Sequence, residues 1–418
     1  MFITLALLGA LSAPTNDAEL SRLVWERSVD LQGARVRIAQ AQADAAKARL
    51  LPNPNLDVSY NTIPVGEHNP ASEPFLAIPN LATGISELVE LGKRGPRQDA
   101  TSQLARAVGF DAIEQLRQRF FDVKELYADI ATSQARIASF GQLVEGAARL
   151  TEIEQARATS GETSSLDLDR SRLEEAKLRS NLAEENERLR AGLRSCTLAL
   201  GDTCEPFADS ATAAAFLEAL AATAQEGRFE TRPDLLSLQA QQEAALSTKT
   251  LAERHAIPDL TVRVGYVKDW FVTSGNQPNS LFVGVSLPLP IFDHGQHDAQ
   301  AAAVAAAASE RTRTLLAESS RKSLSGIGVE LSAFEERRVQ LRGSTIPLAR
   351  KIVDRLSEAV GRGAAALQDL ILARRTLEEL SIDALDLELA AFKLSITRAR
   401  LSGVVPPLPP ELTQDTAP

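Results

Sequence analysis

The chain has 418 residues, of which 44% are hydrophobic and only 5% aromatic, with a formal net charge of −10 and an isoelectric point near 5.2. So acidic a chain lacks the basic face of a nucleic-acid binder. It also contains no apolar run of the ~18–20 residues that a membrane-spanning helix requires, so any crossing of a bilayer falls to strands. Abundant Ala and Leu with few aromatics predict a mainly helical protein packed through aliphatic seams.

The first residues, "MFITLALLGALSAPTNDAEL", form an apolar run ending in small residues, a candidate signal segment over residues 1–13 with cleavage after Ala13, although the usual basic start is missing. No Cys follows it, so a lipidated N-terminus is not expected. A first repeat over residues 14–205 opens with a helical pattern from Ala18 to Leu50, which the prolines of "LPNPN" stop. In "NLDVSYN" Leu56, Val58 and Tyr60 alternate with polar neighbours, the period of a half-buried strand. A Gly- and Pro-containing loop over residues 62–80 leads to a second strand that ends at Gly92. From about Ala100 to Thr159, Leu116, Val123, Ile130, Ile137 and Val144 recur every seven residues, which marks a helix that supercoils against a neighbour. At ~1.5 Å per residue that helix is about 90 Å long. Gly161 ends it, and the pattern after it predicts a return helix. Cys196 and Cys204, the only cysteines, either close a small disulfide loop in an exported protein or remain free thiols in a reducing compartment.

Residues 206–231 are expected to be a linker or equatorial region, and a second repeat over residues 232–405 then restates the first. "PDLTVRVGY" from Pro258 matches "PNLDVSY" from Pro54, 204 positions earlier; "GAAALQDL" from Gly363 matches "GETSSLDL" from Gly161, 202 positions earlier; Gly295 falls 200 positions after Gly95. Three anchors in one order at nearly constant offset identify a tandem duplication. Seven-residue spacing returns in Ile327, Phe334, Leu341 and Leu348, in Val339, Ile346, Val353 and Val360, and in Leu380, Leu387, Leu394 and Leu401. Pro347 predicts a bend in that helix. A Pro-rich tail over residues 406–418 closes the chain.

Each repeat is therefore helix, strand, loop, strand and long helical hairpin: a mainly α fold with a small β part. Four strands are too few to close a barrel, and an open edge in lipid leaves backbone groups unsatisfied, so several chains are expected to contribute strands to one barrel. No phosphate-cradling loop, nucleophile elbow or metalloprotease signature is present, and "GKRG" at Gly92 lacks the rest of a phosphate loop, so neither enzymatic activity nor a cofactor is expected. His294 and His297 share a helical face beside Asp298, but four His and one Met in the whole chain make no dedicated metal site. Trp270 and Phe271, beside Lys268, suit an interfacial aromatic position in the outer loop.

"ELGKRGPRQDA" from Glu90, "RPDLLSLQAQQEAA" from Arg232, "IPDLTVRVGY" from Ile257 and "GVSLPLPIFDHGQHDAQAAAVAAA" from Gly284 resemble the TolC-type outer membrane efflux proteins, in particular the branch found with metal-exporting pumps. The resemblance covers about Ala18 to Val405. It implies a homotrimer with a twelve-stranded barrel in the outer membrane of a Gram-negative bacterium and an α-helical tunnel through the periplasm. An inner-membrane pump and a periplasmic adaptor are implied partners, with no nucleic acid. Under it, Gly95, Pro288, Pro290 and Gly295 mark strand-to-helix junctions, Gly161 and Gly363 mark adaptor-docking tips, and Asp167 and Asp369 line or latch the tunnel aperture or merely complement the first turns of their helices. The competing expectation is a soluble periplasmic coiled-coil scaffold or adaptor, which would bracket one hairpin with a single β-rich region.

Overall fold

The structure, a computed structural model, describes residues 16–67, 69–222, 227–271 and 277–413. The candidate signal segment, part of the loop after Phe271 and the end of the C-terminal tail lie outside them. Helices α1 (Asp17–Arg27) and α2 (Val29–Ala48) precede β1 (Asn55–Asn61) and β2 (Asn80–Val89); α3 (Arg94–Thr159) and α4 (Ser165–Leu200) form the first long hairpin, followed by α5 (Ser210–Ala222). The second repeat supplies α6 (Pro233–Glu253), β3 (Leu260–Asp269), β4 (Asn279–Ser286), α7 (Gln296–Gln340), α8 (Ile346–Gly361) and α9 (Leu367–Ser402), and a short α10 (Pro410–Thr413) follows. Among the described residues no helix is long and apolar enough to cross a membrane. The chain divides into a sheet-bearing unit, residues 37–108 with 237–314, and a helical unit formed by the rest, so each unit draws on both repeats.

In the sheet-bearing unit the strands form one antiparallel sheet in the order β1-β2-β3-β4. Hairpins join β1 to β2 and β3 to β4, and the two repeats meet in the long β2–β3 ladder from Asn80↔Asp269 to Val89↔Leu260.

The core of the helical unit is built on α3, where the seven-residue series begins fully buried at Leu116, Val123 and Ile130. Leu20, Val24 and Trp25 of α1 and Phe392 and Ile396 of α9 are buried with it. One expectation changes here, and two are given structural detail. The helix expected from Ala18 to Leu50 is broken at Ser28, whose extended backbone (ψ 123°) closes α1 through its amide to the Val24 carbonyl and starts α2 by accepting from the Leu31 amide. Arg35 donates across the break to the Trp25 carbonyl and lies 4.9 Å over the indole ring. The expected linker or equatorial region, residues 206–231, carries α5, held by an aromatic cluster of Tyr127, Phe207, Phe216 and Phe392 with ring centroids 5.0–6.5 Å apart. A cystine joins Cys196 to Cys204 at the end of α4, and the next loop is fixed where the Gln134 amide both donates to and accepts from the Phe207 backbone. Finally, the bend expected at Pro347 is a single π turn over Leu341–Thr345. Proline has no N–H for the preceding turn, and the helix absorbs the lost bond by widening. Along this helix Ile327 is buried whereas Val339 and Leu348 are exposed.

Candidate functional site

The register assigns every strand residue to a face. Leu56, Val58 and Tyr60 lie across from Ile85, Thr83 and Leu81, which oppose Val264, Tyr266 and Lys268; Val264 and Tyr266 oppose Val283 and Leu281. Directly paired residues share a face, so one side of the four strands is mostly apolar, interrupted by Thr83, Glu87 and Lys268, and Leu56, Val58, Tyr60, Ile85, Val264, Tyr266, Leu281 and Val283 are exposed on it in the single chain. The other side carries Asp57, Ser59, Ser86, Arg263 and Ser280. Gly84 and Gly265 are paired there opposite Phe282, and a Cβ on Gly265 would come within 2.5 Å of its ring. Interior strand glycines signal such close approach, a cue present in the sequence that the duplication obscured. An apolar outer and a polar inner face are what a barrel in lipid needs. Tyr60 meets Trp270 edge-on at one end of the sheet, with centroids 6.3 Å apart.

At the other end each repeat passes from strand to helix. β4 ends at Ser286, ahead of Pro288 and Pro290. Gly295 has φ +84°, and a Cβ there would lie 2.1 Å from the Ala252 carbonyl oxygen, so both conformation and space demand glycine. Gly95 is not its counterpart. It lies inside α3 with open space around its Cα, and the left-handed residue of the first junction is Gly92, φ +72°. Gly92 and Gly295 are 203 positions apart, in step with the other two anchors. This junction is pinned by ion pairs of Lys93 with Asp259 (2.8 Å) and Arg97 with Glu90. Among the described residues no group of three or more His, Cys, Asp or Glu side chains is placed to hold a metal ion, and His294 and His297 join none.

The two hairpin tips are built alike. Gly161 and Gly363 are left-handed (φ +79° and +72°), and the next amide in each turn, Glu162 or Ala364, reaches back to the carbonyl of Arg157 or Ala359. Asp167 and Asp369 both fall in the first turn of the following helix. Asp167 is held there: Ser164 caps α4 by accepting from the Asp167 amide and donates its hydroxyl to the Asp167 carboxylate at 2.8 Å. Gln368 of the second hairpin also reaches that carboxylate, at 3.4 Å. α9 has Ala366 at the corresponding position and no side-chain cap, and Asp369 is exposed.

Past the α5 cluster and on toward the tips, the antiparallel helices α3 and α9 are laced by charge. Asp122 pairs with Arg400 (2.7 Å), Asp129 with Lys393 (2.7 Å) and Arg136 with Asp386, each step seven residues along both helices. The sequence signal was available, since each ladder position is one residue from the apolar seam. Nearer the tips, α3, α4, α8 and α9 enclose a cavity of about 350 Å³. Glu378 lines it, 7% exposed, with Oε1 unpartnered. Burial, followed by the charges of Glu174 and Glu379, pushes its carboxyl up to about 7.

No family model matches the chain. It is 24% identical over 397 residues to the cobalt-zinc-cadmium resistance protein CzcC of Cupriavidus metallidurans, covering 93% of this chain and 90% of that protein. Its fold is that of CusC, solved in a study of folding and transmembrane channel formation (TM-score 0.73, 15% identity, 96% and 95% of the two chains). It is also that of the outer membrane protein VceC of Vibrio cholerae (0.70, 16%, 92% and 95%) and of the Campylobacter jejuni outer membrane channel CmeC (0.72, 13%, 96% and 89%). A duplicated strand pair with one apolar face, together with long helical hairpins, is the architecture the chain shares with these proteins. The chain therefore has the fold of these outer membrane proteins.

Proposed function

We propose that three copies of this chain close a twelve-stranded barrel and form the exit duct for metal cations. An inner-membrane pump would deliver the cargo through a periplasmic adaptor that docks at the tips around Gly161 and Gly363. The observation that carries assembly from several copies is the sheet itself: β1 and β4 are its two edges, a four-stranded sheet cannot close, and an apolar face in lipid requires that every edge be paired, while the number three follows from the resemblance to the TolC-type proteins. The cargo class rests on the relative named for cobalt, zinc and cadmium resistance. In this reading Asp167 and Asp369 add carboxylates to the aperture, Asp369 as an exposed group and Asp167 as one already oriented by Ser164. Rings of carboxylate favour cations.

The test is planar-bilayer conductance of the purified protein, with its mass in detergent measured on the same sample. A trimer forming stable cation-preferring channels, whose cation-to-anion permeability ratio falls severalfold in the double variant Asp167→Ala, Asp369→Ala, supports the proposal. An unchanged ratio removes the carboxylate ring, and a monomer that never inserts removes the duct.

A further inference from the structure

Two apolar surfaces of the sheet-bearing unit have no partner in a single chain. Immediately after β4, Leu289 and Ile291 are each 70% exposed and Phe292 is 90% exposed. Immediately before β1, Leu50 and Leu51 are 66% and 60% exposed, and with Pro52, Leu104 and Val108 they line a groove of about 770 Å³ between α2 and the start of α3. Patches of this kind mark interfaces. One chain cannot bring these two together, because β1 and β4 are opposite edges of the sheet with β2 and β3 between them. Lipid is a poor occupant for the first. The backbone has left the ladder after Ser286, two prolines interrupt it, and irregular backbone is not tolerated against hydrocarbon unless protein covers it.

The sheet's own directions select the partner. All neighbouring strands are antiparallel, with Asn55 opposite Ser86, Ser86 opposite Arg263 and Thr261 opposite Ser286, so the start of β1 and the end of β4 lie at the same end of the sheet. When β4 of one copy pairs antiparallel with β1 of the next, residues 287–292 of the first run alongside residues 50–54 of the second. Charge agrees with this match: Arg37, Lys47 and Arg97 at the groove outnumber its one carboxylate, Asp44, and the exposed apolar segment is followed at once by Asp293. We infer that the segment Leu287–Phe292 of one copy seats in the Leu50, Leu51 and Leu104 groove of its neighbour. It would then act as an apolar clasp that seals each of the three seams where barrel becomes tunnel. This inference rests on the trimer proposed above.

Both natural cysteines are joined to each other, so introduced thiols can be read separately. The full-length protein carrying Leu51→Cys with Ile291→Cys is treated in outer membranes with a short bifunctional maleimide, as is a second protein carrying Tyr60→Cys with Leu281→Cys, at the opposite end of the same strand seam. The expected result is covalent trimer from both, with no cross-linking from any single substitution. Trimer from the strand pair but none from Leu51→Cys with Ile291→Cys overturns the clasp and leaves the trimer standing. Ready labelling of Ile291→Cys by a lipid-soluble maleimide in that same sample also overturns it, in favour of lipid contact. Monomer from both pairs overturns the trimer and the clasp together.

Discussion

Glycine at a strand-to-helix junction answers to two separate physical demands, and position 295 meets both whereas position 95 meets neither. Gly295 has a left-handed backbone and no room for a Cβ beside Ala252, whereas Gly95 has neither constraint. Gly295→Ala is therefore expected to destabilise the folded protein by at least ~1–2 kcal/mol from backbone conformation alone, with the steric clash in addition. Gly95→Ala, inside a helix, is expected to be neutral or stabilising by ~0.5–1 kcal/mol. Thermal melts of the two purified variants against the parent decide the matter, and equal losses would contradict the assignment of the bend to Gly92. Spacing alone misassigned it, because a glycine two or three positions away also satisfies an approximate repeat. Conformation, which distinguishes Gly92 from Gly95, is not written in residue identity.

The elements themselves were largely legible. Alternation found the strands, seven-residue spacing found the hairpin helices, and prolines and glycines found their ends, because each is a local rule acting on a regular backbone. What escaped depends on tertiary partners. Ser28 breaks a pattern that is helical on both sides, α5 owes its place to contacts with Tyr127 and Phe392, and the ladder of Asp122, Asp129 and Arg136 needs α9 alongside. Glu378 belongs with these, an ordinary glutamate in sequence made unusual by four surrounding helices. Its neighbours are Ser139 and Gln142 on α3, Glu174 with the nearby Lys177 on α4, Arg350 on α8, and Arg374, Arg375 and Glu379 on α9. Its carboxyl, at about 7, lies above the ordinary value of 4.5, so the folded state binds a proton that the unfolded state releases. Stability is thus fully present below about pH 4.5, falls as pH rises toward 7, and is flat above. Glu378→Gln removes that dependence: the variant is expected to match the parent at pH 4 and to exceed it at pH 8 by roughly 1–3 kcal/mol. Melts followed by circular dichroism across that range test this, and parallel curves for the two proteins would refute it.

For the whole molecule, the proposed duct requires one particular side of a thin sheet to meet lipid. Val58 lies mid-strand on the apolar side, in a row with Thr83, Tyr266 and Leu281; Ser59, its immediate neighbour, lies on the polar side in a row with Ala82, Val267 and Ser280. An arginine facing hydrocarbon near the bilayer midplane costs ~2–4 kcal/mol, whereas one facing a water-filled lumen costs little. Val58→Arg is therefore expected to reduce the yield of assembled protein in the outer membrane, while Ser59→Arg assembles normally and increases the cation-repelling charge inside the barrel. The readouts are the fraction of heat-modifiable protein in isolated outer membranes and the single-channel conductance in sodium chloride. Because every strand is registered to the next, the two positions stand for entire faces. Normal assembly of Val58→Arg with failure of Ser59→Arg would mean that the sheet is inside out, and a soluble scaffold would tolerate both. Only a lipid-embedded barrel with this register separates two adjacent residues so sharply.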